Sequence, residues 1–245
     1  MTPLLVGIVI VITIFLFMAL VVYLSRQRVK ELKETRKKLF EQYAHNQSVN
    51  ISEDDVFGLY EKISLLDGLS VIGNQLKNIV SVPTDQGSLY LFDQLKVPTS
   101  ATGSQWGVFT VCFAESRSSL GADLIINEAE NERAANIARN MGALIPGMDF
   151  LTFDDNMFDN RFVVTTKQED NAKKLLNDDV RRFLLNNASV LPAPVSIQIK
   201  GNLFAVYTSA LSSKSIHTES QLGVLVDIAN VFLASKKLTY FSLDL

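Results

Sequence analysis

The sequence is poor in the residues that form disulfides and structural metal sites. It holds one cysteine, Cys112, and two histidines, His45 and His217, in 245 residues. A lone thiol forms no disulfide within its own chain and suits a reducing compartment. Structural zinc is usually held by four Cys or His side chains, and three such residues are too few. We therefore expect neither kind of site, and we expect Cys112 to be a small core residue.

Glycine and proline are also scarce, at 12 and 6 residues, and no internal repeat is visible. This composition is typical of a globular body rather than a low-complexity segment. The chain has no glycine-rich phosphate loop, no Gly-x-Ser-x-Gly turn and no kinase-like set of motifs. We expect no cofactor. The sequence leaves enzymatic activity open and favours its absence.

Charge is missing altogether from residues 4–24, LLVGIVIVITIFLFMALVVYL. At about 1.5 Å per residue, a helix of this length spans the ~30 Å hydrocarbon core of a bilayer. A strongly basic stretch follows, and Lys and Arg beside a membrane end stay on the cytoplasmic side. The sequence therefore predicts a single-pass protein of the bacterial inner membrane, in contact with lipid over residues 4–24. Its N-terminus is expected outside and its C-terminal domain in the cytoplasm.

The basic stretch is predicted to form a helical stalk. Its cations are Arg26, Arg28, Lys30, Lys33, Arg36, Lys37 and Lys38. Anionic lipid attracts such segments by ~1 kcal/mol per charge, so we expect Arg26, Arg28, Lys30 and Lys33 to contact the membrane surface. Apolar residues recur at heptad positions, but Arg36 takes one of these positions. That pattern favours a short stalk over a dimeric coiled coil, with weak self-association through the stalk as the alternative.

The chain is thus predicted to have three parts: a transmembrane helix over 1–25, a basic stalk and linker over 26–49, and a cytoplasmic domain over 50–245. Residues 45–245 hold 23 acidic and 16 basic residues, a net charge of −7. No basic stripe with interleaved aromatics occurs there. Because phosphate neutralisation supplies most non-specific affinity for nucleic acid, we do not expect a nucleic-acid partner.

The C-terminal domain reads as α+β, with a largely antiparallel sheet and flanking helices. Two hairpins are indicated, around Asp85-Gln86-Gly87 and around Gly201-Asn202, and residues 105–116 read as a central strand. Thr218 to Gln221 fits the capping box of a final helix. An earlier helix is predicted to begin at a Ser52 cap. The apolar face expected for it consists of Val56, Leu59, Tyr60, Ile63 and Leu66.

Residues 153–166, FDDNMFDNRFVVTT, raise the question of a metal or catalytic site. The candidate ligands or acid–base groups are Asp154, Asp155 and Asp159. An EF-hand loop needs oxygen ligands at positions 1, 3 and 5, Gly at position 6 and Glu at position 12. Counted from Asp154, the loop has Phe158 at position 5 and Thr165 at position 12. The residues favour a loop that enters a strand, with solvated carboxylates and three anchoring phenylalanines, Phe153, Phe158 and Phe162.

The order of features resembles a domain family of unknown function among bacterial single-pass membrane-anchored proteins. The segments that carry the likeness are VIGNQLKN, GSLYLFDQL, WGVFTVCFAES, residues 153–185 and VSIQIKGNLFAVYT. The likeness covers roughly residues 70–236 and is most specific over 158–185. After the central strand, GADLIINEAENERA stands where such proteins often carry Leu-Pro-x-Phe. The resemblance implies the fold and membrane anchoring, and it implies no catalytic residue.

These observations favour a membrane-tethered cytoplasmic domain that binds another protein. One alternative is a membrane-associated hydrolase or metal-dependent enzyme that uses Asp154, Asp155 and Asp159. A second alternative is a small-molecule sensor whose stalk transmits a change.

Overall fold

The computed structural model describes residues 3–67, 69, 75–84, 87–96, 107–140, 147–208, 216 and 218–241, and a few of these, including 3–11, by their backbone alone. The helices are α1 (Pro3–Asn46), α2 (Leu59–Ser64), α3 (Glu132–Asn140), α4 (Asn156–Asp159), α5 (Glu169–Leu175), α6 (Asp178–Ala188) and α7 (Glu219–Phe241). The strands are β1 (Ile51–Ser52), β2 (Gln75–Thr84), β3 (Gly87–Lys96), β4 (Gly107–Glu115), β5 (Leu124–Glu128), β6 (Asp149–Leu151), β7 (Phe162–Thr166), β8 (Val195–Lys200) and β9 (Leu203–Thr208).

All described strands form one antiparallel sheet, in the order β1-β2-β3-β4-β9-β8-β5-β7-β6. The α+β class and the antiparallel sheet agree with the sequence pattern. Both predicted hairpins are present, as β2–β3 and β8–β9, although residues 85–86 of the first turn lie outside the described residues. Strand β4 lies between β3 and β9, so the predicted central strand is confirmed.

Each face of the sheet carries its own core. The larger core packs α1, α5, α6 and α7 against one face, and Cys112 lies in it, fully buried and unpaired. The smaller core on the opposite face includes Phe92, Phe113 and Tyr207, and α2 packs against it through Leu59 and Ile63. Because β3, β4 and β9 are covered on both faces, apolar side chains occupy both faces of these strands.

The predicted transmembrane helix is corrected by the structure. Among the residues whose side chains are described, no helix is both long and apolar enough to cross a membrane. Residues 4–11 of the predicted span lie outside the described side chains. For the part of the chain that the structure describes, the assignment as a single-pass transmembrane protein is therefore wrong.

The segment predicted as a stalk is continuous with the apolar run and then joins the body. Helix α1 runs unbroken from Pro3 to Asn46. Its side chains are exposed as far as Thr35, apart from the half-buried Leu32 and those left undescribed, whereas Phe40, Tyr43 and Ala44 are buried in the larger core. Full burial of a large apolar side chain contributes about 1.5–3 kcal/mol. The last three turns of α1 are therefore part of the folded body rather than a linker to it.

Candidate functional site

The acidic stretch is a capped turn that leads into β7. Asp155 caps α4 by accepting a hydrogen bond from the backbone N–H of Phe158 at 3.2 Å. The Asp159 carboxylate accepts from the backbone N–H groups of Phe153 at 3.1 Å and Asp155 at 3.3 Å. Asp154 has a φ of 56°, in the left-handed region that Asp tolerates in turns. Two of the three candidate carboxylates therefore hold the backbone of their own loop.

Neighbouring side chains complete this turn. Arg181 Nε lies 3.4 Å from Asp155 Oδ2, and its guanidinium stacks over the Phe153 ring at 4.8 Å. Phe158 and Phe162 are buried, with ring centroids 4.9 Å apart, so the predicted anchoring role of these phenylalanines is confirmed. Within the described part of the chain, no group of three or more His, Cys, Asp or Glu side chains is arranged to hold a metal ion.

The residues predicted to contact a membrane surface lie on the exposed part of α1. Arg26, Lys30 and Lys33 are exposed, and the side chain of Arg28 is outside the described residues. Lys30 Nζ lies 3.9 Å from Glu34 Oε1 on the next turn. Their contact with lipid stays a prediction.

A cavity that the sequence did not indicate opens between α1 and strands β2–β4. We call it the α1–β cleft. Its volume is about 200 Å³, and its lining residues are Leu32, Lys33, Arg36, Lys37, Glu53, Lys77, Asn78, Asp93, Leu95 and Val108. Leu95 and Val108 are buried and form an apolar floor, while charged side chains from α1, β2 and the segment after β1 form the rim.

A buried ion pair closes the inner end of the α1–β cleft. The side chains of Arg36 and Asp93 are 3% and 1% exposed. Arg36 Nε donates to Asp93 Oδ2 at 3.0 Å, and Nη2 donates to Asp93 Oδ1 at 2.5 Å. Nη2 also donates to Thr110 Oγ1 at 2.7 Å, and Nη1 donates to the carbonyl oxygen of Ile216. The bidentate geometry is the strong form of such a pair, and it ties α1 to the sheet and to the segment before α7.

Two more donors saturate the Asp93 carboxylate. Asn78 Nδ2 donates to Oδ2 at 3.1 Å, and Thr110 Oγ1 donates to Oδ1 at 3.3 Å. Asn78 lies at a bulge in β2, where the pairing with β3 shifts between Lys77 and Val80, and its φ is 57°. Bulges re-aim side chains at sites of this kind, and here the bulge turns the Asn78 amide into the buried network.

The rim of the cleft carries exposed ion pairs. Lys37 Nζ donates to Glu53 Oε1 and lies 3.9 Å from Glu41 Oε1. The hydrogen bond from Lys37 and its charge lower the pKa of Glu53, and the same contact raises the pKa of Lys37. Lys77 Nζ lies 3.3 Å from Asp54 Oδ1 and 3.4 Å from the Glu53 carbonyl oxygen. The side chains of Lys37 and Glu53 are 47% and 64% exposed, so water screens their attraction.

A second surface feature lies on the other side of β2. We call it the α2 patch: Val56, Phe57, Tyr60 and Leu65, which are 70%, 37%, 47% and 57% exposed. The Phe57 ring lies 5.0 Å from the Tyr90 ring, so the patch extends onto β3. Four large exposed apolar side chains within ten residues form a surface that folding alone does not require.

Acidic residues are frequent in the segment that carries the α2 patch. Residues 53–67 contain five acidic side chains and one lysine. The acidic residues are Glu53, Asp54, Asp55, Glu61 and Asp67. Lys62 is paired with Glu115 at 2.6 Å, and Lys200 reaches Asp67 at 3.3 Å. The segment that carries the patch therefore combines exposed apolar side chains with an excess of carboxylates, three of which pair with Lys37, Lys77 and Lys200.

The helix predicted to follow a Ser52 cap begins six residues later than expected. Residues 51–52 form β1, and α2 begins at Leu59. Gly58 occupies the N-cap position, and the carboxylate of Asp55, rather than Ser52, caps the helix from the preceding loop by accepting from the N–H groups of Leu59 and Tyr60, both at 2.8 Å. The predicted apolar face is correspondingly wrong at Val56 and Tyr60, which are exposed.

A sequence signal for the cleft existed at Arg36. It occupies a position in the α1 heptad frame where an apolar residue is expected, and a charge at such a position indicates either solvent or a buried partner. Nothing in the sequence points to Asp93, which lies 57 residues away, as that partner.

Comparison with known proteins gives a fold relative. No family model and no curated protein matches the sequence. Among solved structures, the chain is similar to the crystal structure of the mycobacterial trehalose monomycolate transport factor A, TtfA, with a TM-score of 0.54 and 10% identity. The alignment covers 81% of this chain and 93% of that one. At this identity the similarity shows a shared fold and nothing about ligands.

Proposed function

We propose that this chain is a non-catalytic binding domain that docks a partner protein on the α2 patch. The observation that carries the proposal is the exposure of Val56, Phe57, Tyr60 and Leu65 beside the Phe57–Tyr90 ring pair. Exposed clusters of this kind mark interaction sites, and aromatic side chains dominate the energy of protein interfaces. The hydrogen bonds of Asp155 and Asp159 to their own loop favour this proposal over an enzyme at the acidic stretch.

The charge around the patch defines the partner's chemistry. Complementary potentials steer association and exclude wrong partners. Residues 53–67 carry five carboxylates and one lysine, which favours a partner segment with an apolar face flanked by Lys and Arg; its cations would compete with Lys37, Lys77 and Lys200 for the exposed carboxylates that those lysines pair with. An amphipathic helix presents such a face with anchors at every third or fourth residue.

The fold relative is compatible with this proposal. TtfA is described as a transport factor, and a binding domain fits that description. The similarity supplies no ligand for this chain. The cytoplasmic, membrane-associated location of the body stays a prediction, and a C-terminal reporter that is active in only one compartment tests it.

A capture experiment with matched variants tests the docking surface. The full chain in mild non-ionic detergent is expected to recover a stoichiometric partner from its own cells, with a yield that falls as salt rises. Leu65→Asp places a charge at one of the four exposed apolar positions that define the patch, so it should abolish recovery. Ile137→Asp, at a 49%-exposed apolar position on α3, is the matched control and should retain it. Equal recovery by the two variants, or repeated recovery of the chain alone, would contradict the proposal.

A further inference from the structure

We infer that the α1–β cleft binds a small organic anion, whose carboxylate or phosphate group contacts the rim lysines and whose short apolar part lies on the floor. This site shares Glu53 with the acidic surroundings of the α2 patch and none of the patch's four apolar residues. The inference uses only the shape, the charges and the contacts of the cleft.

The cavity has the two-part lining that an amphiphilic ligand needs. Leu95 and Val108 are buried beneath it, and the half-buried Leu32 of α1 faces it. Ligand pockets usually combine an apolar lining with a few placed polar groups. At about 200 Å³ the cleft is smaller than the ~300–1,000 Å³ typical of drug-sized ligands, so its occupant is a small molecule.

The inner wall of the cleft is rigid and its charge is already neutralised. Every side-chain nitrogen of Arg36 donates to an acceptor within the protein, and Asp93 accepts four hydrogen bonds. A carboxylate offers about four acceptor positions, so no acceptor capacity is left on Asp93. Arg36 therefore positions the wall, and the charge offered to a ligand comes from Lys37 and Lys77.

The rim lysines contact carboxylates that a ligand can replace. Glu53 is 64% exposed and Asp54 is 85% exposed. Exposed ion pairs contribute at most about 1 kcal/mol, and often nothing measurable. A ligand anion that contacts Lys37 and Lys77 together gains a second charge-assisted contact and partial shielding from water. The Glu53 carboxylate thus occupies the position of the ligand's acid group and competes with the ligand for the rim lysines.

This arrangement predicts opposite effects for neighbouring residues. Lys37→Gln and Lys77→Gln remove ligand contacts, so each should weaken binding by about fivefold or more. Glu53→Gln removes the competitor and should strengthen binding by about two- to fivefold. A general effect of net charge would follow any lysine or glutamate of similar exposure, wherever it lies on the chain.

The test uses n-butyl phosphate, inorganic phosphate and butyrate as probes, with the full chain in non-ionic detergent and calorimetry as the readout. Lys173 and Glu169 on α5 are a matched control pair, with side chains 48% and 64% exposed against 47% and 64% for Lys37 and Glu53. Lys173→Gln and Glu169→Gln should leave binding unchanged. All the variants replace exposed side chains, and an unchanged thermal midpoint verifies that each is folded.

Each outcome of this test either supports the proposed site or overturns it. Tighter binding of n-butyl phosphate than of inorganic phosphate, weakened in the two cleft-lysine variants and strengthened in Glu53→Gln, supports the site. Butyrate binding with the same variant pattern extends it to carboxylates. The inference is overturned if wild type and Glu53→Gln bind no probe, or if inorganic phosphate binds as tightly as n-butyl phosphate. An equal loss in Lys173→Gln and Lys37→Gln overturns it as well.

Discussion

At the scale of single residues, the Arg36–Asp93 pair is the most deeply buried ion pair in the described part of the chain. Both charges are almost fully removed from water, and each is satisfied by several hydrogen bonds. Such a pair contributes little more to the free energy of unfolding than an apolar replacement would, but the loss of one partner leaves a buried charge without compensation. This asymmetry makes the pair testable.

Asp93→Ala should lower the free energy of unfolding by about 3–5 kcal/mol, because the Arg36 guanidinium would stay buried without an anion. Urea denaturation of the full chain measures the change. Asp154→Asn, which removes a turn carboxylate and keeps a residue that tolerates the φ of 56° at this position, serves as the control. The double variant Arg36→Met/Asp93→Leu removes both charges and should recover most of the loss. A midpoint for Asp93→Ala equal to that of the control would show that the pair does not stabilise the fold.

Tyr43 makes stability depend on pH in the alkaline range. Burial raises its pKa from 10.0 to about 12, with smaller contributions from Cys112 and Asp227. The folded state therefore holds the phenolic proton more tightly than the unfolded state. This contribution is fully present below pH 10 and is lost as the pH rises towards 12.

Thermal midpoints between pH 9 and 12 should consequently fall more steeply for the wild type than for Tyr43→Phe. Burial also raises the pKa values of Cys112 and Tyr207, so the variant should keep part of the decline. Parallel curves for the two proteins would show that Tyr43 titrates no differently in the folded and unfolded states.

At the scale of elements, the strands were predictable because their signals are local. Residues 195–200 alternate apolar and polar side chains, residues 203–207 are apolar throughout, and Gly201 between them has a φ of 63°, the conformation that a tight primed turn requires. Strand β4 is apolar on both faces and is indeed covered on both. Such patterns can be recognised within a single strand, because they show whether one or both of its faces are buried and do not depend on which distant residues bury them.

The start of α2 was not predictable by the same rules. Ser52, Asp54 and Asp55 are all acceptable caps, and the choice among them depends on the pairing of β1 with Val80 and Ile79 of β2. That pairing holds residues 51–52 in an extended conformation, so the helix cannot begin there. A long-range contact thus overrides a local cap signal.

A comparison of two caps tests this account. Asp55→Ala removes an acceptor for two backbone N–H groups and should cost about 1 kcal/mol of stability, within the ~0.5–2 kcal/mol range of helix caps. Ser52→Ala, at the position that the sequence favoured, should change the free energy of unfolding by only a few tenths of a kcal/mol. Chemical denaturation of both variants decides, and a larger loss in Ser52→Ala would refute the assignment of the cap.

At the scale of the whole molecule, the candidate sites join segments that are far apart in sequence. The α1–β cleft combines residues of α1 with residues 53, 77–78, 93–95 and 108. No spacing rule relates these positions, so sequence patterns predicted the sheet but not the cavity. The acidic stretch was conspicuous because its residues are consecutive, and consecutive Asp and Asn residues more often form turns than sites.

The N-terminal helix is the element at which the structure differs most from the predicted organisation of the chain. A boundary near residue 49 follows from the polar linker AHNQSVN, yet Phe40, Tyr43 and Ala44 lie in the larger core. Helix α1 also contacts α7, and the Nη1 of Arg36 donates to the carbonyl of Ile216 just before that helix. Helix α1 is therefore joined to α7 and the segment before it by shared core packing and by side-chain hydrogen bonds from Arg36 and Asn46.

A trimmed version that starts at residue 50, the natural choice for crystallisation, would lose far more than a flexible leader. The hydrophobic groove that receives Phe40 would be open to water, and Asp93 would remain in the interior with no cation beside it. Poor expression or aggregation of such a fragment would reflect the loss of the part of α1 that belongs to the core. A fragment meant to fold should therefore begin no later than the helical turn that carries Arg36.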